Sequence, residues 1–180
     1  MVSSSSTLYP HKTREVDMNW TAQAGYHFES ETPLDASAAQ VFQLLEDGKA
    51  WTEWFENMTS VTWTTPHPKQ VGTQRTVTLG STHVEEYFLV WEERKRMAFR
   101  FISSTSSVFS AAIEDYSLED IPGSPGQCMF SYKVHADLST WSRLLGCIIK
   151  PKLNTMFGKV GPNLANYVKA GAMSKAAGSI

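Results

Sequence analysis

The chain is short of the residues from which metal and redox sites are built. Only two of its 180 residues are cysteines, Cys128 and Cys147. Neither has a CxxC partner or a His-rich neighbourhood, so zinc-type ligation and dithiol chemistry are not indicated. Both read as small buried apolar groups. The histidines are His11, His27, His67, His83 and His135. None has a carboxylate at helical ligand spacing, HExxH is absent, and each reads as a surface or structural residue. No metal and no cofactor are expected. A GxSxG elbow, a P-loop and a dinucleotide fingerprint are also missing, which leaves hydrolase-triad, nucleotide and nicotinamide chemistry without support. No apolar run approaches the roughly 20 residues of a membrane span, so no stable membrane insertion is expected. Net charge is scarce too. A formal −2 points to no nucleic-acid partner and to no general affinity for anionic membranes. The basic run Arg94, Lys95, Arg96 falls where a solvated hairpin turn is expected. The stretch MVSSSSTLYPHKTREVD lacks the apolar core of a secretory signal, which points to the cytoplasm.

Aromatics, by contrast, are plentiful: six Trp, nine Phe and six Tyr. They supply large apolar surfaces to fill a core or line a pocket. The length fits one domain with a real core. Residues 1–22, Ser-rich and then charged, read as a flexible tail. The folded domain is expected over 23–170, with a second tail over 171–180.

Within the domain, Tyr26 and Phe28 alternate with polar residues as a first strand that Pro33 ends. Ser37 and Gln40 have capping-box spacing before the apolar stripe Val41, Phe42, Leu44, Leu45, a short helix that Gly48 stops. Trp51, Trp54, Phe55 and Met58 predict a second short helix that plugs one end of the core. From Val61 the period changes to two. Strands are expected around Val61–Thr64, Gly72–Leu79, Thr82–Glu92, Met97–Ile102, Val108–Leu118 and Gln127–Ala136, joined by short turns. That makes six or seven antiparallel strands. The stretch Trp141–Ala170 is the longest helix candidate. Leu144, Leu145, Ile148 and Ile149 begin its apolar face, and Leu153, Met156, Phe157, Val160 and Leu164 continue it. Pro151 is expected to split off a lead-in helix, and Gly161-Pro162 to kink or break the rest. These two points are the expected hinges and the expected ligand entry.

The order of elements resembles the START-related helix-grip (SRPBCC) superfamily, in its polyketide cyclase/dehydrase-like branch. LDASAAQVFQLLEDGKAWTEWFENMTSV is similar to the family's opening. VGTQRTVTLG and VEEYFLVWEERKRMAFRF are similar to its central hairpins. The resemblance covers about Tyr26–Lys169, with Pro162 a departure from the usual continuous helix. It implies an α+β helix-grip fold, in which a curved antiparallel sheet wraps a long C-terminal helix and two short helices follow the first strand. It also implies a deep apolar cavity between sheet and helix that holds a hydrophobic small molecule.

A two-residue turn at Gly80-Ser81 pairs Leu79 with Thr82, Val77 with Val84 and Arg75 with Glu86. Arg75, Val77, Leu79, Val84, Glu86 and Phe88 then share one face. If that face is the inner one, Arg75 and Glu86 form an ion pair at the cavity wall and a polar anchor for a ligand. If it is the outer one, they form a surface cross-strand bridge worth at most about 1 kcal/mol. Tyr87, Leu89 and Trp91 make the opposite face apolar as well, and a one-residue register shift reverses the assignment. The other candidate lining residues are Trp54 and Trp63, then Phe99 and Phe101, then Tyr116, Phe130 and Tyr132. On the final helix they are Leu153, Met156, Phe157 and Val160.

Three functions follow in order. The first is binding or transport of a lipid, polyketide or similar molecule by a monomer or homodimer. The second is a cyclase or dehydrase that acts on a ligand held in the same cavity, with catalytic residues unassigned. The third is a protein-interaction module, which a cavity-free core would favour.

Overall fold

The computed structural model describes residues 9–66 and 68–177. His67, residues 1–8 of the expected N-terminal tail and residues 178–180 of the expected C-terminal one lie outside the described residues. The strands are β1 (His11–Lys12), β2 (Tyr26–Leu34), β3 (Met58–Trp63), β4 (Gln74–Leu79), β5 (Thr82–Glu92), β6 (Arg96–Ser104), β7 (Phe109–Asp120) and β8 (Cys128–Leu138). The helices are α1 (Ala38–Glu46), α2 (Gly48–Trp54), α3 (Thr140–Leu144), α4 (Gly146–Gly158) and α5 (Val160–Ala177). Seven strands pair in the order β2-β8-β7-β6-β5-β4-β3, all antiparallel, and β1 adds to β6. The sheet is curved, with α4 and α5 in its concavity and α1 and α2 closing one end. This is the α+β helix-grip fold.

The local chemistry explains the elements. Ser37 and Gln40 form the capping box that starts α1. Asp47, rather than Gly48, ends that helix, and its carboxylate caps α2 through the Lys49 N–H. α2 therefore begins earlier than its Trp spacing implies, and Met58 opens β3. Pro33 does not end β2, because β2 is an edge strand and a proline there breaks no interior ladder. The Gly80-Ser81 turn sets the expected register, with Arg75 opposite Glu86.

The segment 9–22 is not a free tail. Asp17 caps a 3-10 turn over Met18–Gln23. Val16, Trp20 and Ala24 pack with Leu89, Ala111 and Ile113 in a second, smaller core on the outer face. β1 also fills a gap. β6 pairs with β7 only over Arg96–Arg100, and beyond that the two strands diverge. The Thr13 N–H then bonds to Ile102, and that of Arg14 to Ser110, bridging the two strands.

The C-terminal stretch is interrupted twice, as expected, but not at Pro151 and not at Gly161-Pro162. The chain breaks at Leu145 and Lys159. Pro151 lies inside α4, where its missing N–H spares a bond to the carbonyl of the exposed Cys147. Pro162 sits in the first turn of α5, where an N–H has no helical partner anyway. Gly161 presses against β2 so closely that a Cβ would come 2.1 Å from Thr32 Oγ1. The expected apolar face also divides. Leu153, Phe157, Val160 and Leu164 are buried, whereas Leu144, Leu145 and Ile148 point to water. Cys147 is exposed rather than buried, and Cys128 is buried as expected. The residues expected to form the C-terminal tail are helical through Ala177.

Candidate functional site

The inner face of the sheet has a filled end and a hollow end. At the filled end α2 lays Trp51 and Trp54 against Tyr116 and Phe55, and Phe88, Phe99 and Phe130 extend the aromatic packing. Trp63 and Trp91 close onto Phe88. Simple alternation would turn Trp91 away from Phe88. A β-bulge between Phe88 and Val90 brings both rings inward.

Arg75 and Glu86 are buried in this packing, 1% and 4% exposed. Arg75 Nε donates to Glu86 Oε2. The guanidinium lies 4.4 Å from the Trp51 ring centroid and 4.6 Å from that of Phe99, with Phe88 and Trp63 at 5.2 and 5.4 Å. Each ring face stabilises the cation where water cannot. Arg75 Nη1 has no hydrogen-bond partner among the described residues, so at that atom the ring faces stand in for one. Burial pushes the Glu86 carboxyl up to about 7 against the pull of Arg75.

At the hollow end a cavity of about 300 Å3 opens between β4–β7 and the α4–α5 junction. Leu79, Val84, Phe101 and Val108 form its sheet wall, and Leu153, Phe157 and Val160 its helix wall. Glu56, Asn57, Met156 and Lys159 line it and are exposed, so its mouth lies between the α2–β3 loop and the helix junction. Lys159 Nζ bridges that mouth to Glu56, at 3.0 and 2.9 Å from its two carboxylate oxygens. Thr13 reaches the wall from the strap across the β6–β7 gap.

Glu114 stands where the two ends meet. It lines the cavity, yet is only 8% exposed. Its Oε2 accepts hydrogen bonds from Tyr116 at 2.6 Å and Tyr132 at 3.1 Å. Oε1 has no donor among the described residues. Burial raises the Glu114 carboxyl, and the two hydroxyls and Arg75 oppose it. Burial and Glu114 together push both tyrosines well above their ordinary range. One guanidinium and two carboxyls are electroneutral when one proton is held between the acids, and burial drives the cluster there. A neutral carboxyl donates to a ligand carbonyl, and an ionised one accepts from a hydroxyl.

Of the residues singled out from the sequence, Leu79, Phe101, Leu153, Met156, Phe157 and Val160 come together around the cavity. Trp54, Val77, Phe88, Phe99, Tyr116, Phe130 and Tyr132 are core instead, and Trp63 is partly buried against it. Arg75 and Glu86 lie on the inner face but behind the aromatics, so they do not touch the cavity. Glu114 was missed, although its alternation with Tyr116 and Leu118 puts it on their face.

Comparison with known proteins supplies the family. The model of a family described as polyketide cyclase/dehydrase and lipid transport matches residues 26–169. An uncharacterized protein of Mycobacterium tuberculosis is 33% identical over 164 residues, which is 91% of this chain and 95% of that protein. A Thermus thermophilus crystal structure superposes with a TM-score of 0.65 at 13% identity, covering 81% of this chain and 99% of that one. A START superfamily protein of Mycobacterium smegmatis gives 0.54 at 12% identity, covering 76% and 97%. Likeness at such low identity shows the fold alone.

Proposed function

Since the chain belongs to the polyketide cyclase/dehydrase and lipid transport family, we propose that it binds and carries a hydrophobic small molecule in the cavity beneath α4 and α5. One observation carries this reading. An apolar hollow of about 300 Å3 ends on a single buried carboxyl, that of Glu114. The volume is at the lower end of small-molecule sites, whose pattern is an apolar wall with a few placed polar groups. The ligand class is therefore a compact lipid, polyketide or similar molecule with one hydroxyl or carbonyl to meet Glu114. The hollow also weighs against a pure interaction module, which needs no cavity.

Mass spectrometry of organic extracts from the purified protein, with displacement of a fluorescent fatty acid, tests the proposal. A bound apolar molecule is expected, with affinity weakened about tenfold or more in Glu114→Leu, whose carboxyl is gone. No extracted ligand together with no probe binding would overturn it.

The enzyme reading keeps one specific support, the raised carboxyl of Glu114 in contact with two hydroxyls at the cavity wall. A carboxyl held above its ordinary range keeps its proton more readily and can pass it to a bound ligand. Unchanged turnover of a poly-β-ketone substrate in Glu114→Gln would dispose of it.

A further inference from the structure

Five of the six large apolar side chains exposed among the described residues fall on one short stretch. Trp141, Leu144, Leu145 and Ile148 are 76%, 71%, 50% and 54% exposed, and Met156 is 40% exposed. Only Val71 lies elsewhere. The first four follow the i, i+3, i+4, i+7 spacing that puts residues on one helical face. Here that face, on α3 and the start of α4, is turned to water. Exposed apolar clusters of this kind mark interaction sites.

Charge identifies the partner. All 18 acidic residues of the chain precede Ser139, and six of the 16 basic ones follow it. The formal −2 thus hides −8 over residues 1–138 and +6 over 139–180. Arg143, Lys150 and Lys152, all exposed, flank the apolar face. None of these three has a salt-bridge partner among the described residues.

We propose that α3 and the first half of α4 dock the protein on an anionic lipid surface. Trp141, Leu144, Leu145 and Ile148 would enter the headgroup boundary, and Arg143, Lys150 and Lys152 would lie among the phosphates. A basic amphipathic helix with Trp and Leu on its apolar face has this preference. A symmetric contact with a second copy would set the same cations against each other. A nucleic-acid backbone would leave the apolar face wet. No helix among the described residues is long and apolar enough to cross a membrane, so the contact is peripheral. The same α4 continues to Met156 at the cavity mouth, which would set the mouth beside the bilayer. The docking itself does not depend on what the cavity holds.

The exposed Cys147 lies within the patch, whereas Cys128 is buried. The full chain, labelled at Cys147 with a solvent-sensitive dye, is titrated with two vesicles: phosphatidylcholine alone, and equimolar phosphatidylcholine and phosphatidylglycerol. A blue shift and co-flotation of unlabelled protein are expected with the anionic vesicle only, and lost at high salt. Lys150→Glu with Lys152→Glu should weaken the partition by about tenfold or more. Trp141→Ser with Ile148→Ser should abolish it, with thermal unfolding unchanged because both sites are exposed. The proposal is overturned by absence of flotation on anionic vesicles at low salt. It is equally overturned by flotation that survives Trp141→Ser with Ile148→Ser. A concentration-dependent dimer that this pair abolishes would assign the face to a second copy instead.

Discussion

Between α2 and the sheet the concave face is solid, whereas between the α4–α5 junction and the same sheet it is hollow. Flat rings make the first end. Trp51, Phe88, Phe99 and Tyr116 interlock there around Arg75 with no room for a ligand. The second also holds rings, Phe101, Phe109 and Phe157, but mixed with Leu79, Val84, Val108, Leu153 and Val160, and a gap remains between sheet and helices. Rigidity and reception are therefore separated along one surface, with Glu114 at the boundary. The solid end holds the charges in place, and the hollow end receives one oxygen of the last of them.

The largest expected effect lies in the solid end. Arg75→Ala strands the carboxyl of Glu86 among aromatic rings. Breaking one side of a buried pair costs about 3–5 kcal/mol, so urea unfolding should move by that amount. Arg75→Met with Glu86→Leu should recover most of it. A single-variant loss under about 1 kcal/mol would mean that water reaches the guanidinium, and the contrast between the two ends would fail.

Acidity gives the next effect. The folded Glu86 carboxyl, near 7, lies above its ordinary 4.5, so the folded state holds the proton more tightly than the unfolded one. Stability is then highest below about pH 4.5, falls as pH rises towards 7, and levels off above it. Glu114 shifts in the same direction. The loss should be on the order of 1–3 kcal/mol, read from urea midpoints between pH 5 and 8. Glu86→Gln should flatten that slope. A slope that survives the substitution would assign it to Glu114, at the hollow end.

Much of this layout was legible. The Gly80-Ser81 turn pins its register, and so placed Arg75 opposite Glu86. Which way that face points was not readable, because Leu89 makes the outer face apolar as well. The residue that resolves it is far away in sequence: Trp20, in an unpatterned segment, covers Leu89 and Ile113. Trp91 escaped alternation because a bulge adds a residue that no pattern announces. Helical periodicity grouped Leu144 with Leu153 on one face. A period, though, does not say what covers the face, and the break at Leu145 changes what each part meets. Net charge hides the basic C-terminal stretch for a similar reason, since a sum discards position. Of the hollow itself, only its helix wall and part of its sheet wall could be read, because a void is the absence of side chains from both sides.

A smaller effect compares the two ends directly. Val84→Phe adds a ring where space exists, so stability should change by less than about 1 kcal/mol while ligand affinity falls about tenfold or more. Val77→Phe, two residues before Leu79 on the same face and 1% exposed, should cost about 1–3 kcal/mol by overpacking with less effect on affinity. Equal stability losses would mean that the hollow end collapses as readily as the solid one resists.

The smallest effect concerns the mouth. Lys159 and Glu56 pair across it with side chains about half exposed, 50% and 44%. Exposed pairs contribute roughly 0–1 kcal/mol, so Lys159→Met should barely move the unfolding midpoint. Its consequence should instead be kinetic. The pair ties the helix junction to the α2–β3 loop, and a ligand that passes between them must part it. Release of a bound fluorescent fatty acid, followed by stopped flow, should be faster in Lys159→Met, by a factor of a few. In the wild type, raising salt from about 0.1 to 1 M should bring the same acceleration, as screening shortens from about 10 to 3 Å. The variant should be insensitive to salt. Release rates equal in both proteins would move the entry route to the β6–β7 gap, where the strap carrying Thr13 is the other cover of the cavity.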